Sequence, residues 1–93
     1  MARYRRKDQI EVPVADGLEV DGERYAVDLI AKRATGVEGY RCTLAFIAEE
    51  DGPNAFVDLE PASGRREARA RGEELRDRDE ELRELLRAEL ERG

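Results

Sequence analysis

The side chains that most often carry chemistry are scarce in this chain. Histidine is absent, which removes the commonest general base, proton shuttle and metal ligand. Ser63 is the only serine, and the residues around it form neither a nucleophile elbow nor a base partner. Cys42, the only cysteine, sits inside Tyr40-Arg41-Cys42-Thr43-Leu44-Ala45-Phe46-Ile47-Ala48, the longest run of strand-favouring residues. A reactive thiol needs an electropositive, partly exposed setting, so Cys42 reads as an inert core thiol in a reducing compartment. A single cysteine also cannot form an internal disulfide.

Carboxylates are the remaining chemical resource, with 23 Asp and Glu in 93 residues. Asp28 and Asp58 fall in the middle of strand patterns, where a solvated outer face is their ordinary role. Glu49-Glu50-Asp51 with Asp58 or Glu60 is the one grouping able to gather oxygen ligands around a turn, and it lacks calcium-loop spacing. No glycine-rich phosphate cradle follows a strand and opens a helix. These residues predict no catalytic site, no cofactor and no metal centre.

Charge is unevenly placed. Residues 1–7 carry +4 from Arg3, Arg5, Arg6 and Lys7, whereas residues 8–60 hold 13 acids against 4 bases. Residues 61–93 are nearly balanced, with 10 acids and 9 bases. An acidic body repels a phosphate backbone and argues against a broad nucleic-acid footprint. The exception is the N-terminal arm, where Arg3, Tyr4, Arg5, Arg6 and Lys7 surround a stacking aromatic with cations and form a candidate nucleic-acid contact. Its plainer role is a basic terminus outside the fold. The longest apolar run is five residues, Leu44 to Ala48, and no signal peptide is evident, so the expected location is the cytoplasm and no membrane partner is expected. The 15 Arg against 2 Lys reflect a GC-rich coding bias more than an ion-pair design.

The elements follow from periodicity. From Ile10 to Leu59 apolar residues alternate, first as Ile10, Val12 and Val14. Pro13 has no amide donor and assigns its strand to a sheet edge. Ala15-Asp16-Gly17 reads as a three-residue hairpin loop pairing Val14 with Leu18 and Val12 with Val20. Asp21-Gly22 predicts a type I′ turn that pairs Leu18 with Tyr25 and sets Glu19 opposite Arg24. Strands follow over 24–32, 40–48 and 55–60, with a loop of two glycines over 33–39. After Pro61-Ala62-Ser63 the period becomes helical, with Ser63 as N-cap. Ala68, Leu75, Leu82, Leu85, Leu86 and Leu90 share one stripe, and Glu67–Arg71, Glu74–Arg78 and Asp79–Arg83 have ion-pair spacing on the other side. Gly72 and Asp77–Glu80, which has capping-box spacing, are possible breaks; two helices over about 63–75 and 79–92 are favoured over one.

The expected architecture is α+β: an antiparallel meander of four to five strands over 8–60, packed by one or two C-terminal helices over 61–93, preceded by the arm 1–7. That pattern is too common to name a family. Its most informative feature is the reverse face of the sheet, where Ala26, Ile30, Ala45, Ile47 and Phe56 fall although a solvated face should be polar. Either the helices cover that side while the strands curl closed on the other, or that side docks a partner. The function expected is a non-enzymatic interaction domain, self-associating as a homodimer or binding another protein through this apolar face or through the leucine stripe. A nucleic-acid-associated or regulatory role through the basic arm is the alternative, and carboxylate catalysis or an acidic metal site stands third.

Overall fold

The computed structural model describes residues 9–33 and 39–92. Four strands, β1 (Gln9–Val20), β2 (Glu23–Arg33), β3 (Tyr40–Ala48) and β4 (Ala55–Asp58), precede two helices, α1 (Arg65–Glu74) and α2 (Asp79–Arg92). The sheet is an antiparallel meander in the order β1-β2-β3-β4. Pro13 lies on the edge strand β1, as its missing amide requires.

The hairpin expected at Ala15-Asp16-Gly17 does not form. The chain continues as one strand and absorbs two extra residues: pairing steps from Pro13↔Asp28 to Ala15↔Val27, then from Asp16↔Ala26 to Leu18↔Tyr25. Val14 and Gly17 are therefore bulge residues, and Gly17 takes the left-handed conformation (φ 82°) that an Asp-Gly bulge needs. Two successive bulges restore the facing that one alone would invert, so Val12, Val14, Leu18 and Val20 all stay buried. The physical reason is β2: its 11 residues offer ladder partners along the whole length of β1, to every residue but Val14 and Gly17, and a hairpin would have left half of them unpaired. The sheet has four strands as a result. The second turn forms as expected, with Asp21 and Gly22 at positive φ and Leu18 and Glu19 opposite Tyr25 and Arg24.

The helices pack on the face that carries Val12, Tyr25, Val27, Leu29, Leu44 and Phe46. Leu82, Leu86 and Ala68 are completely buried there, and Leu75, Leu85 and Leu90 lean on the same cluster. Gly72 lies inside α1 and does not break it. A Cβ at that position would sit 2.7 Å from Val12 Cγ1, so glycine is what lets the helix approach the sheet this closely. The break falls at Leu75–Asp77, a 3₁₀ turn ending at Arg78.

Several local expectations change with that geometry. The N-cap of α1 is Gly64, not Ser63; the Ser63 amide and hydroxyl instead donate to the Glu67 carboxylate at 2.7 and 2.6 Å. A backbone bridge between Tyr40 and Ala62 fixes the entry to the helix and leaves Ser63 one position early. Glu67–Arg71 pairs at 3.3 Å. The 3₁₀ turn spoils the Glu74–Arg78 spacing, and Arg78 pairs with Glu81 at 3.6 Å instead. Arg83 turns from Asp79 to Glu80 (3.3 Å) and donates to the Glu19 carbonyl (2.9 Å), while Arg76 donates to the Pro13 carbonyl (2.9 Å). Those two arginines tie the helical layer to the edge strand β1. Among the described residues no helix is long and apolar enough to cross a membrane.

Candidate protein-docking face

The side of the sheet turned away from the helices is built by register. Successive residues of a strand alternate faces, so burial of Tyr25, Val27, Leu29 and Ala31 turns Arg24, Ala26, Asp28, Ile30 and Lys32 outward. Pairing then assembles the rows. Asp28 stands between Pro13 on β1 and Ala45 on β3, and Ala45 faces Phe56 on β4. One row away, Ile30 lies between Glu11 and Thr43, with Asp58 beyond. On the other side of that central row Ala26 lies between Asp16 and Ile47. The five residues expected on this face, Ala26, Ile30, Ala45, Ile47 and Phe56, are thus neighbours on one surface. Phe56 is 55% exposed and Ile47 38%, the two large apolar side chains left open among the described residues. Ala26 and Ile30 are partly buried, and Ala45 is closed over by its neighbours. No described element packs on this face; the contacts of both helices are made from the opposite side.

Polar groups ring the patch, and one stands within it. Lys32 and Arg41 pair at one end of the face, and Arg24 meets Glu49 at 3.7 Å at the other. The Thr43 hydroxyl donates to Asp58 at 3.2 Å. Asp28 is different: it is partly buried at the centre and has no hydrogen bond or ion pair among the described residues. Burial pushes its carboxyl above the ordinary range, and the nearby Glu11 charge adds to the rise. Asp28 lies on the outer strand face, as its place in the alternation predicts, and the β1 register sets it beside Pro13, with Ala45 on its other side.

The other candidate groups take structural places. Cys42 is buried, its thiol directed at the Tyr40 carbonyl at 3.9 Å. Glu49 is held by Arg24, and among the described residues no three acidic or cysteine side chains gather as a metal site, so Glu49, Glu50 and Asp51 are not brought together with Asp58 or Glu60. The leucine stripe is spent on the core. A shallow groove of about 350 Å³ runs between the tail of β4 and the helices, lined by Leu59, Arg71, Leu75 and Leu85 among others. Arg71 in that groove is already engaged by the Glu67 carboxylate and by the carbonyls of Glu60 and Pro61. Arg3, Tyr4, Arg5, Arg6 and Lys7, the expected nucleic-acid contact, lie outside the described residues. No family model, curated protein or solved structure matches this chain.

Proposed function

We propose that the protein is a non-enzymatic interaction module that self-associates through the open face of its sheet. The observation that carries this reading is the exposed pair Phe56 and Ile47, diagonal neighbours across β3 and β4 on a face that no described element covers. Two further features favour the face over other surfaces. The leucines of the helical stripe pack inward, and β1, one sheet edge, has its Pro13 and Glu19 carbonyls occupied by Arg76 and Arg83. A second copy is the occupant proposed for this four-stranded surface, because two sheets can pack face to face at about 10 Å with their side chains interdigitated.

The size of the face sets the strength. β1, β2 and β3 lie ~4.8 Å apart and present five rows ~6.7 Å apart, a surface of roughly 10 by 27 Å, and β4 adds only Phe56 and Asp58, so two copies cover about 600 Å² before side-chain relief is counted. That is below the roughly 1,000 Å² of an ordinary specific interface, so the dimer proposed is a weak, concentration-dependent one. Light scattering over a concentration series tests it: the wild-type chain forms dimers, and Ile47→Asp gives a folded monomer. A wild-type chain that stays monomeric at high concentration removes the reading.

A further inference from the structure

We propose that the chain's own basic arm, residues 1–7, turns back at the start of β1 and lies along the open face of the sheet in the same copy. This seating is independent of self-association, because the occupant belongs to one chain. Where a second copy also docks, the arm competes with it.

The arm is joined to the face at its rim. Gln9 begins β1 and pairs with Lys32 at one end of the sheet. Ile10 beside it is buried, and Gln9 Nε2 donates to Glu11 Oε2 at 3.0 Å, so both of these side chains lie on the open side. Residues 1–8, all that precedes Gln9 in the sequence, reach at most about 26 Å when extended. With Lys7 and Asp8 spent on reversing direction, the six before them still cover about 20 Å. Asp28 lies four residues from Lys32 along β2, roughly 13 Å, so the arm spans the acidic part of the face. A reversal at that point brings Tyr4 level with Ile30 and carries Arg5 and Arg3 past it on either side.

Charge selects this occupant. The two rows beyond the entry present Glu11, Asp28 and Asp58 around Ile30 and Phe56. The basic side chains described on the face stand at its ends. Lys32 and Arg41 flank the entry, while Arg24 at the far end meets Glu49 and reaches back over Gly17. The arm's cations therefore gain by passing the entry and settling among the acids. A second copy would bring the same acids against them, whereas Arg3, Arg5, Arg6 and Lys7 bring +4 and Tyr4 brings an aromatic for the apolar strip.

The room is right for one segment. Three strands make a face about 10 Å wide, the width of a single extended chain with its side chains. Attachment supplies the rest: a tethered segment meets its site at an effective concentration in the millimolar range, so contacts too weak to hold a free peptide hold this one. Exposed ion pairs are individually weak and screened by salt, so the seating depends on ionic strength.

Nuclear Overhauser contacts in the full chain, at concentrations where it sediments as a monomer, decide it. The expected result is that the Tyr4 ring contacts the Ile30 methyls and the Phe56 ring at low salt, that these contacts persist on dilution, and that they fade at about 0.5 M salt, where the screening length is roughly 4 Å. The full-length variant Arg3→Gln/Arg5→Gln/Arg6→Gln/Lys7→Gln should lose them. Asp28→Asn/Asp58→Asn should weaken them from the other side, while unmoved Leu82 and Leu86 methyls report an intact fold. Absence of Tyr4 contacts at every salt concentration overturns the inference, as do contacts indifferent to salt and to both variants. Contacts that vanish on dilution also overturn it, since they place the arm on a second copy. A concentration-dependent dimer without Tyr4 contacts leaves the self-association reading standing.

Discussion

Gly72→Ala should destabilise the fold even though alanine is the better helix former. In a helix interior the exchange favours alanine by about 0.8–1 kcal/mol. Against that, the new Cβ would lie 2.7 Å from Val12 Cγ1 and 3.0 Å from Val12 Cβ. Val12 is buried in mid-strand and β-branched, with little rotamer freedom to yield, so α1 must lift from the sheet. Overpacking of this kind costs about 1–3 kcal/mol, leaving a net loss of ~1 kcal/mol and a Tm drop of roughly 4–8 °C. Val12→Ala alone should cost about 2 kcal/mol from two lost methyl groups and the space they leave. The double variant should be more stable than the sum of the two by about 1 kcal/mol, because each change makes room for the other. Urea unfolding followed by circular dichroism measures all three. A Gly72→Ala chain stabilised by its full helix-propensity gain, with no coupling to Val12, would refute the seating of α1 on β1.

Further outcomes follow from single groups. Leu86→Ala, at a completely buried position under the sheet, should lose about 3 kcal/mol in the same unfolding assay. Gly22→Ala meets nothing within 4 Å, so its cost is backbone strain alone at φ 88°, about 1–2 kcal/mol; Gly39→Ala should cost more, because its Cβ would also strike the Ala62 carbonyl. Glu67 should titrate below an ordinary glutamate in a carboxyl NMR titration, because its ionised form accepts the Ser63 hydroxyl and amide and lies near Arg71. A depressed folded-state pKa contributes stability that is present above the unfolded value and is lost as pH falls through the folded one. The Glu67→Gln chain should therefore lack part of the acid sensitivity that wild type shows below the ordinary glutamate range.

The strands and the helical stripe were legible because alternation and the 3.6-residue repeat each leave a long signal: Tyr25, Val27, Leu29 and Ala31 are buried in alternation, and Leu82 and Leu86 are buried with Leu85 and Leu90 packed against the same core. The open face was legible for the same reason, since Ile30, Ile47 and Phe56 are out of phase with the core. Asp16-Gly17 was misread because an Asp-Gly pair serves a bulge as well as a hairpin, and the local residues are identical in both. What separates the two is the length of β2, a partner distant in sequence. The same bulged register sets Asp28 beside Pro13, whereas its other neighbour, Ala45, follows from the unbroken β2–β3 ladder. The Glu74–Arg78 pair failed because spacing assumes an unbroken helix, and the 3₁₀ turn sits between them.

The docking claim is tested most directly by a dilution series of methyl and aromatic NMR spectra on the wild-type chain. On concentration the Ile30 and Ile47 methyls and the Phe56 ring should shift together, while the Leu82 and Leu86 methyls on the helical side hold still. Shifts that appear at the helical leucines and spare Ile47 and Phe56 would place the contact elsewhere and contradict the account.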